Sequence, residues 1–147
     1  MRRFPAGVAV VTVDADGERI GLTIGTLTPL SLTPPLVGFA VRRDAALHEL
    51  LRAARTFGAT LLASDQEAQA QHFARGVPPI ALWANVDLRD TAGPPLLANA
   101  LGWLAGRIAA EVSAGEDTFF VADVLSVEHG EPTKRPLVYV DQRYAAA

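Results

Sequence analysis

The sequence predicts a mainly β chain, a β-barrel with peripheral helices. Three observations carry that expectation. Apolar, β-branched runs bounded by turn residues recur at short intervals. Only two segments combine helical spacing with a start signal, and both are short. The stretch from Gly21 to Leu36 alternates small hydroxylated residues (Thr23, Thr26, Thr28, Ser31) with apolar ones (Leu22, Ile24, Leu27, Leu30, Leu32) and ends on Pro34-Pro35. Such a segment buries one face and offers hydroxyls and backbone amides on the other. About seven or eight strands with two short helices argue for a barrel over a βαβ sheet.

Each element has a local reason. Val8 to Val13 alternates and is rich in valine, which reads as a strand. Asp14-Ala15-Asp16-Gly17 is a hairpin turn, with Gly17 free to take positive φ. Arg19 to Thr28 is the return strand. Pro29 and the Pro34-Pro35 pair hold the residues before them extended, so the chain bends without turning helical. Leu36 to Val41 is a buried strand. Asp44 is placed as the N-cap of a helix to about Ala54, with Leu47, Leu50, Leu51 and Ala54 on one face. Phe57 to Ala63 is a further strand. Ser64-Asp65-Gln66-Glu67 has the capping-box pattern and opens a helix to about Ala74.

Gly76 to Pro95 is irregular, with Trp83 and Val86 pinning it to the core. Leu96-Leu97 reads as a short strand and Leu101 to Val112 as a long one, although its alanines leave a helix open. Gly115-Glu116-Asp117 turns the chain into a strong strand, Phe119 to Val127. Pro136 to Val140 is the last strand.

The 147 residues are read as one domain, residues 1–147, long enough for a substantial core. Net charge is −3, and basic residues stand side by side only in isolated pairs (Arg2-Arg3, Arg42-Arg43, Lys134-Arg135), which argues against nucleic acid as a main partner. No apolar run approaches a membrane span. There is no cysteine, hence no thiol nucleophile or disulfide frame, as fits a cytoplasmic protein. G-x-G-x-x-G, Walker and G-x-S-x-G motifs are absent from the sequence. His48, His72 and His129 are not at metal-ligand spacing, and His48 and His72 are expected to face solvent from their helices. Arg42-Arg43 and a helix start directly after a strand suggest an anion-binding edge, because helix N-terminal amides and the helix dipole favour negative charge.

Read in order, the chain resembles the flavin reductase-like family, the FMN-binding split barrels. The resemblance lies in Phe4-Pro-Ala-Gly-Val8 with Val10-Val11-Thr12, and in Gly21-Leu-Thr23 with Thr28-Pro-Leu-Ser-Leu-Thr-Pro-Pro-Leu36. It continues in Phe57-Gly-Ala-Thr-Leu-Leu-Ala63, Leu101-Gly-Trp-Leu104 with Arg107, and Gly115-Glu-Asp-Thr-Phe-Phe-Val121. It closes in Pro136-Leu-Val-Tyr139 and Arg143-Tyr144.

The resemblance implies a split β-barrel homodimer that binds FMN (or FAD) and reduces it with NADH or NADPH, feeding a partner monooxygenase. By position, Thr23, Ile24, Gly25, Thr26, Leu27 and Thr28 would line the ring and ribityl chain, with Pro34 and Pro35 shaping the wall. Arg42, Arg43 and Asp44 would stand at the phosphate. Asp117, the candidate catalytic residue, and Tyr144 would border the nicotinamide. The chain departs from the family pattern at Gly25, Thr26 and Leu27 (usually Ser, Ser, Phe), at Asp44 (usually a small donor) and at Asp117 (usually His). The carboxylates Asp44 and Asp117 motivate an alternative, a non-catalytic flavin-binding or scaffold dimer. A turn role, capping the amide of Phe119, is the plainer expectation for Asp117. The resemblance also implies a helix ahead of the Phe4-Pro5 motif, and Phe4 stands almost at the start of this sequence.

Overall fold

The computed structural model describes residues 1–147. Ten strands and three short helices follow in the order β1 (Ala6–Gly7), β2 (Ala9–Ala15), β3 (Glu18–Ile24), β4 (Thr28–Leu32), β5 (Pro35–Arg42), α1 (Ala46–Ala54), β6 (Thr56–Leu61), α2 (Glu67–Ala74), α3 (Pro79–Leu82), β7 (Gly102–Ala114), β8 (Asp117–His129), β9 (Leu137–Val140) and β10 (Arg143–Ala146). A seven-stranded sheet has the order β3-β2-β6-β7-β8-β5-β4, and a small sheet has the order β1-β9-β10. The large sheet curls without closing, because its edges β3 and β4 are not paired with each other. This is the mainly β split barrel expected from the sequence. No helix is long and apolar enough to cross a membrane.

The β2–β3 hairpin forms as its turn residues require. Asp16 and Gly17 both take positive φ (53° and 86°), and the Gly17 amide donates to Asp14 Oδ1 at 2.9 Å. β2 is buried on both faces. Ala9, Val11 and Val13 point into the barrel with Phe39, Phe57, Phe120, Leu47 and Leu51. Val8 and Val10 point outward beneath Phe73, Leu82, Leu97 and Leu137. The second cluster attaches α2, α3 and the irregular 76–100 segment. Trp83 and Val86 pack against it as expected, and the Trp83 indole donates to the Arg19 carbonyl at 3.0 Å.

Several elements differ from expectation. The run Arg19 to Thr28 is not one strand. It breaks after Ile24, and residues 25–27 carry the chain from one edge of the sheet to the other. Thr26 ties that crossing down: its Oγ1 accepts from the Ala40 amide and donates to the Ala40 carbonyl, both at 3.0 Å. Pro29 lies inside β4, an edge strand with irregular register beside it, where a missing N–H is tolerated. The Thr33–Pro34 peptide is cis.

The expected helix caps are absent. The N-cap of α1 is Ala45, and Asp44 pairs instead with Arg42. At α2 the N-cap is Gln66, without a side-chain cap bond. Gln66 is buried and works elsewhere, its Oε1 accepting from the Ala63 amide and its Nε2 donating to the Ala98 carbonyl.

Leu96-Leu97 makes only an isolated bridge, Leu88 to Leu97. The alanine-rich segment is strand β7, because β6 and β8 flank it on both sides and pairing overrides helix propensity. β1, β10 and α3 were not foreseen. β10 returns on β9 through Asp141 and Gln142, both at positive φ (51° and 62°), a two-residue turn made without glycine.

Candidate functional site

The largest cavity has a volume of about 490 Å³. It is built where the two sheets meet helix α2. The end of β3 supplies Thr23, Ile24 and Gly25, α2 supplies Glu67 and Gln71, and the C-terminal hairpin supplies Tyr139, Arg143 and Tyr144. Thr23 is fixed there by donating its hydroxyl to the Ala70 carbonyl at 2.7 Å, which also clamps α2 to β3. Ile24 borders the cavity while its side chain packs in the barrel core. Gly25 leaves the wall open, and a Cβ there would come within 3.2 Å of the Ala6 Cβ.

The rings of Tyr139 and Tyr144 meet edge to face with centroids 5.0 Å apart. Burial, then the neighbouring Tyr139 phenol and the Glu67 carboxylate, hold the Tyr144 hydroxyl above its ordinary pKa. It therefore stays a neutral phenol, a donor and an acceptor, throughout the physiological range.

Of the residues expected at the flavin, Thr23, Ile24, Gly25 and Tyr144 share this cavity. The others lie apart. Thr26 is occupied with Ala40. Leu27 borders a smaller cavity between the sheets, with Leu101 and Pro136. Thr28, Pro34 and Pro35 are exposed on the β4–β5 hairpin. The chain crosses between sheet edges in the middle of this run, so its two halves face different surroundings.

Arg42, Arg43, Asp44 and Asp117 form a separate cluster where β5 runs into α1. Arg42 donates through Nε and Nη2 to both Asp44 oxygens at 3.0 Å, and through Nη1 to Glu116 Oε2 at 3.2 Å. This fork holds the Asp44 carboxyl well below the usual carboxylate range and pushes the Arg42 guanidinium up. Arg43 donates to the carbonyls of Gly115 and Asp117 and to Ser113 Oγ at 3.3 Å. The Asp117 carboxylate makes no hydrogen bond, and its backbone pairs with Arg42 and Ala114, so it does not cap Phe119.

His48 was expected to face solvent but is buried at 3 % exposure. Its Nε2 lies 2.8 Å from Thr118 Oγ1 and its Nδ1 2.9 Å from Glu49 Oε1. Helical spacing placed it correctly on α1, but its partner is 70 residues away on β8. His72 reaches the Leu82 carbonyl at 2.7 Å and is partly buried. Glu67, Gln71, Tyr139 and Arg143 also line the cavity, although of the C-terminal hairpin the sequence points only to Tyr144. The closing motifs Pro136–Tyr139 and Arg143-Tyr144 carry the signal for Tyr139 and Arg143.

A family model described as the flavin reductase like domain matches residues 1–147. The NADH-dependent FAD reductase of Streptomyces globisporus is 35% identical over 145 residues, covering 96% of this chain and 79% of that protein. The reductase component of 4-nitrophenol 4-monooxygenase/4-nitrocatechol 2-monooxygenase from Rhodococcus opacus is 34% identical, covering 96% of this chain and 74% of that protein. The solved structure of Streptomyces globisporus C-1027 NADH:FAD oxidoreductase SgcE6 superposes with a TM-score of 0.92 at 34% identity, over 99% of this chain and 88% of that one. Among further relatives the names include an NADH:FMN oxidoreductase and an NADPH-flavin oxidoreductase. With the split barrel and a cavity walled by the Thr23–Gly25 edge, the match over the whole length settles the family: this chain belongs to the flavin reductase-like family.

Proposed function

We propose that the chain is an NAD(P)H-dependent flavin reductase, a single domain over residues 1–147 whose flavin ring occupies the cavity between Thr23–Gly25 and Tyr144. One observation carries this reading: the β3 edge and the C-terminal hairpin, matched separately in sequence, wall the same cavity. Its volume of about 490 Å³ lies in the range of small-ligand sites. The apolar walls, the bare Gly25 and the two tyrosine rings suit a flat aromatic ligand, and Gln71 and Gln142 bring amides to its edge. The residues present therefore fit FMN, and equally the FMN half of FAD.

A bound flavin supplies the chemistry of accepting a hydride from a reduced nicotinamide. The chain's own residues bind and orient. Thr23 holds α2 against the ring edge. Tyr139 and Tyr144 shield one side from water, and Tyr144 keeps its proton. Asp117, expected at the nicotinamide, stands instead in the separate cluster with Arg42, Arg43 and Asp44 and does not line this cavity. The non-catalytic alternative has no support among the relatives, whose names are those of reductases and oxidoreductases.

The test is steady-state oxidation of NADH or NADPH with FMN, FAD or riboflavin as acceptor. The expected result is oxidation that requires flavin and saturates with it. No oxidation above buffer with any of the three, together with no quenching of flavin fluorescence, would refute the reading.

Reduced flavin is assigned to a partner monooxygenase, by analogy with the Rhodococcus opacus reductase component. The cysteine-free sequence supports a cytoplasmic setting. We further assign a homodimer. Leu30 and Leu32 on β4, Leu125 and Val127 on β8, and Val112 on β7 are 46–92 % exposed on one run of neighbouring strands. Such a patch on a water-soluble surface marks an interface, and a second copy covers it. Light scattering is expected to give twice the chain mass for the wild type and a monomer for Leu125→Glu/Val127→Glu. A wild-type monomer at micromolar concentration contradicts the assignment.

A further inference from the structure

Phosphate recognition needs a cation whose donors are free, best of all an arginine fork. At the Arg42-Arg43 turn none is. Every guanidinium nitrogen of Arg42 is engaged by Asp44 or Glu116, and Arg43 is spent on Ser113 and two main-chain carbonyls. The cluster holds two cations against three carboxylates, Asp44, Glu116 and Asp117, so its net charge is negative.

Arg143 is in the opposite condition. It borders the main cavity and makes no side-chain hydrogen bond or salt bridge with the rest of the chain. It is also the single cation at that cavity. Lys134 is held by Asp65 and the Asn99 carbonyl, and Arg135 by the Ala147 carbonyl, both away from it. Glu67 is the one carboxylate on the rim. It accepts from Gln71 at 3.4 Å and leaves Arg143 unpaired. The base of Arg143 is rigid. Its strand β10 pairs with β9 directly after the Asp141-Gln142 turn, and the Asp141 amide donates to the Arg2 carbonyl at 2.7 Å.

We propose that Arg143 is the residue that recognises a substrate phosphate, and that the Arg42-Arg43 turn is closed to it. This deepens the flavin reductase reading and rests on it. The shared chemistry is a phosphate ester, carried by FMN and FAD and by the nicotinamide dinucleotide alike. Riboflavin and a simple N-alkyl dihydronicotinamide lack it.

The test begins with flavin fluorescence titrations. Arg143→Gln is expected to weaken FMN binding about tenfold, the loss of one charge-assisted contact, and to leave riboflavin affinity within about twofold. Asp44→Ser, which frees Arg42, is expected to leave both within about twofold. If the phosphate at Arg143 is the dinucleotide's, FMN affinity is unchanged, and the KM for NADH rises about tenfold while that for N-benzyl-dihydronicotinamide does not. Either pattern supports the assignment and says which substrate delivers the phosphate.

Three results overturn it. The first is Arg143→Gln with wild-type affinity for FMN and wild-type KM for NADH. The second is Arg143→Gln weakening phosphate-free ligands as much as phosphorylated ones. The third is Asp44→Ser tightening FMN selectively. A wild type that binds no flavin sinks the flavin reading itself, and this assignment with it, whereas the three results above leave that reading intact.

Discussion

Gly25→Leu is expected to weaken flavin binding at least about tenfold while leaving the fold in place. Gly25 is exposed on the wall of the main cavity at the end of β3, where the chain leaves one sheet edge for the other. A Cβ there already stands 3.2 Å from the Ala6 Cβ, so further side-chain atoms are driven into the cavity. Leucine then occupies space that an aromatic ring needs, and steric overlap of a bound ring costs more than the ~1.4 kcal/mol of a tenfold loss. Stability changes little, because Ala6 belongs to the two-residue strand β1 at the periphery and can shift by a few tenths of an ångström. Gly25→Ala serves as the control, with flavin affinity close to wild type. Fluorescence titration reads the affinity and a thermal melt the fold. Wild-type affinity in Gly25→Leu would remove the ring from this wall.

Phe120→Ala is expected to destabilise the chain by about 3–5 kcal/mol, the usual result of emptying an aromatic position in a closed core. Phe120 is fully buried in the barrel centre. Its ring lies 5.7 Å from that of Phe39 and 5.6 Å from His48, and Phe39 in turn meets Phe57 edge to face at 5.0 Å. Removing it leaves a void among side chains fixed on β5, β6 and α1, which cannot all move inward together. At about 2–4 °C per kcal/mol for a chain of this size, the melting temperature falls by roughly 6–20 °C. Phe120→Leu, which keeps most of the volume, should lose far less. Urea unfolding followed by circular dichroism measures both. A loss under about 1 kcal/mol for Phe120→Ala would mean that the barrel is not packed as described.

Much of the fold was legible because its causes are local. Asp14 to Gly17 specify their hairpin by turn chemistry. Leu47 and Leu51 specify the buried face of α1 by spacing. The diproline and the alternating Gly21–Leu36 run specify extended chain. What escaped depends on partners distant in sequence. Nothing near Thr26 announces that its hydroxyl will bind the backbone of Ala40, and nothing near His48 announces Thr118. Asp44 has the residue type of a cap, but Arg42 two residues earlier competes for its carboxylate and wins with two hydrogen bonds. The β9–β10 turn lacks the glycine that normally marks such turns, so Arg143 was read as part of a tail rather than as the start of a strand.

The candidate site divides along the same line. Its β3 wall, Thr23 to Gly25, lies in the alternating Gly21–Leu36 run. Its opposite wall came from the C-terminal hairpin, whose position against α2 and β3 only the assembled sheets reveal. The arginine pair after β5 suggested an anion site by sequence, and its immediate carboxylate neighbours neutralise it in space.

The most direct test of the account is a crystal structure of the protein grown with FMN. The isoalloxazine ring is expected between Thr23–Gly25 and Tyr144, with Arg143 at the cavity mouth. A ring bound instead against the Pro34-Pro35 hairpin or beside Arg42 and Asp44 would contradict it.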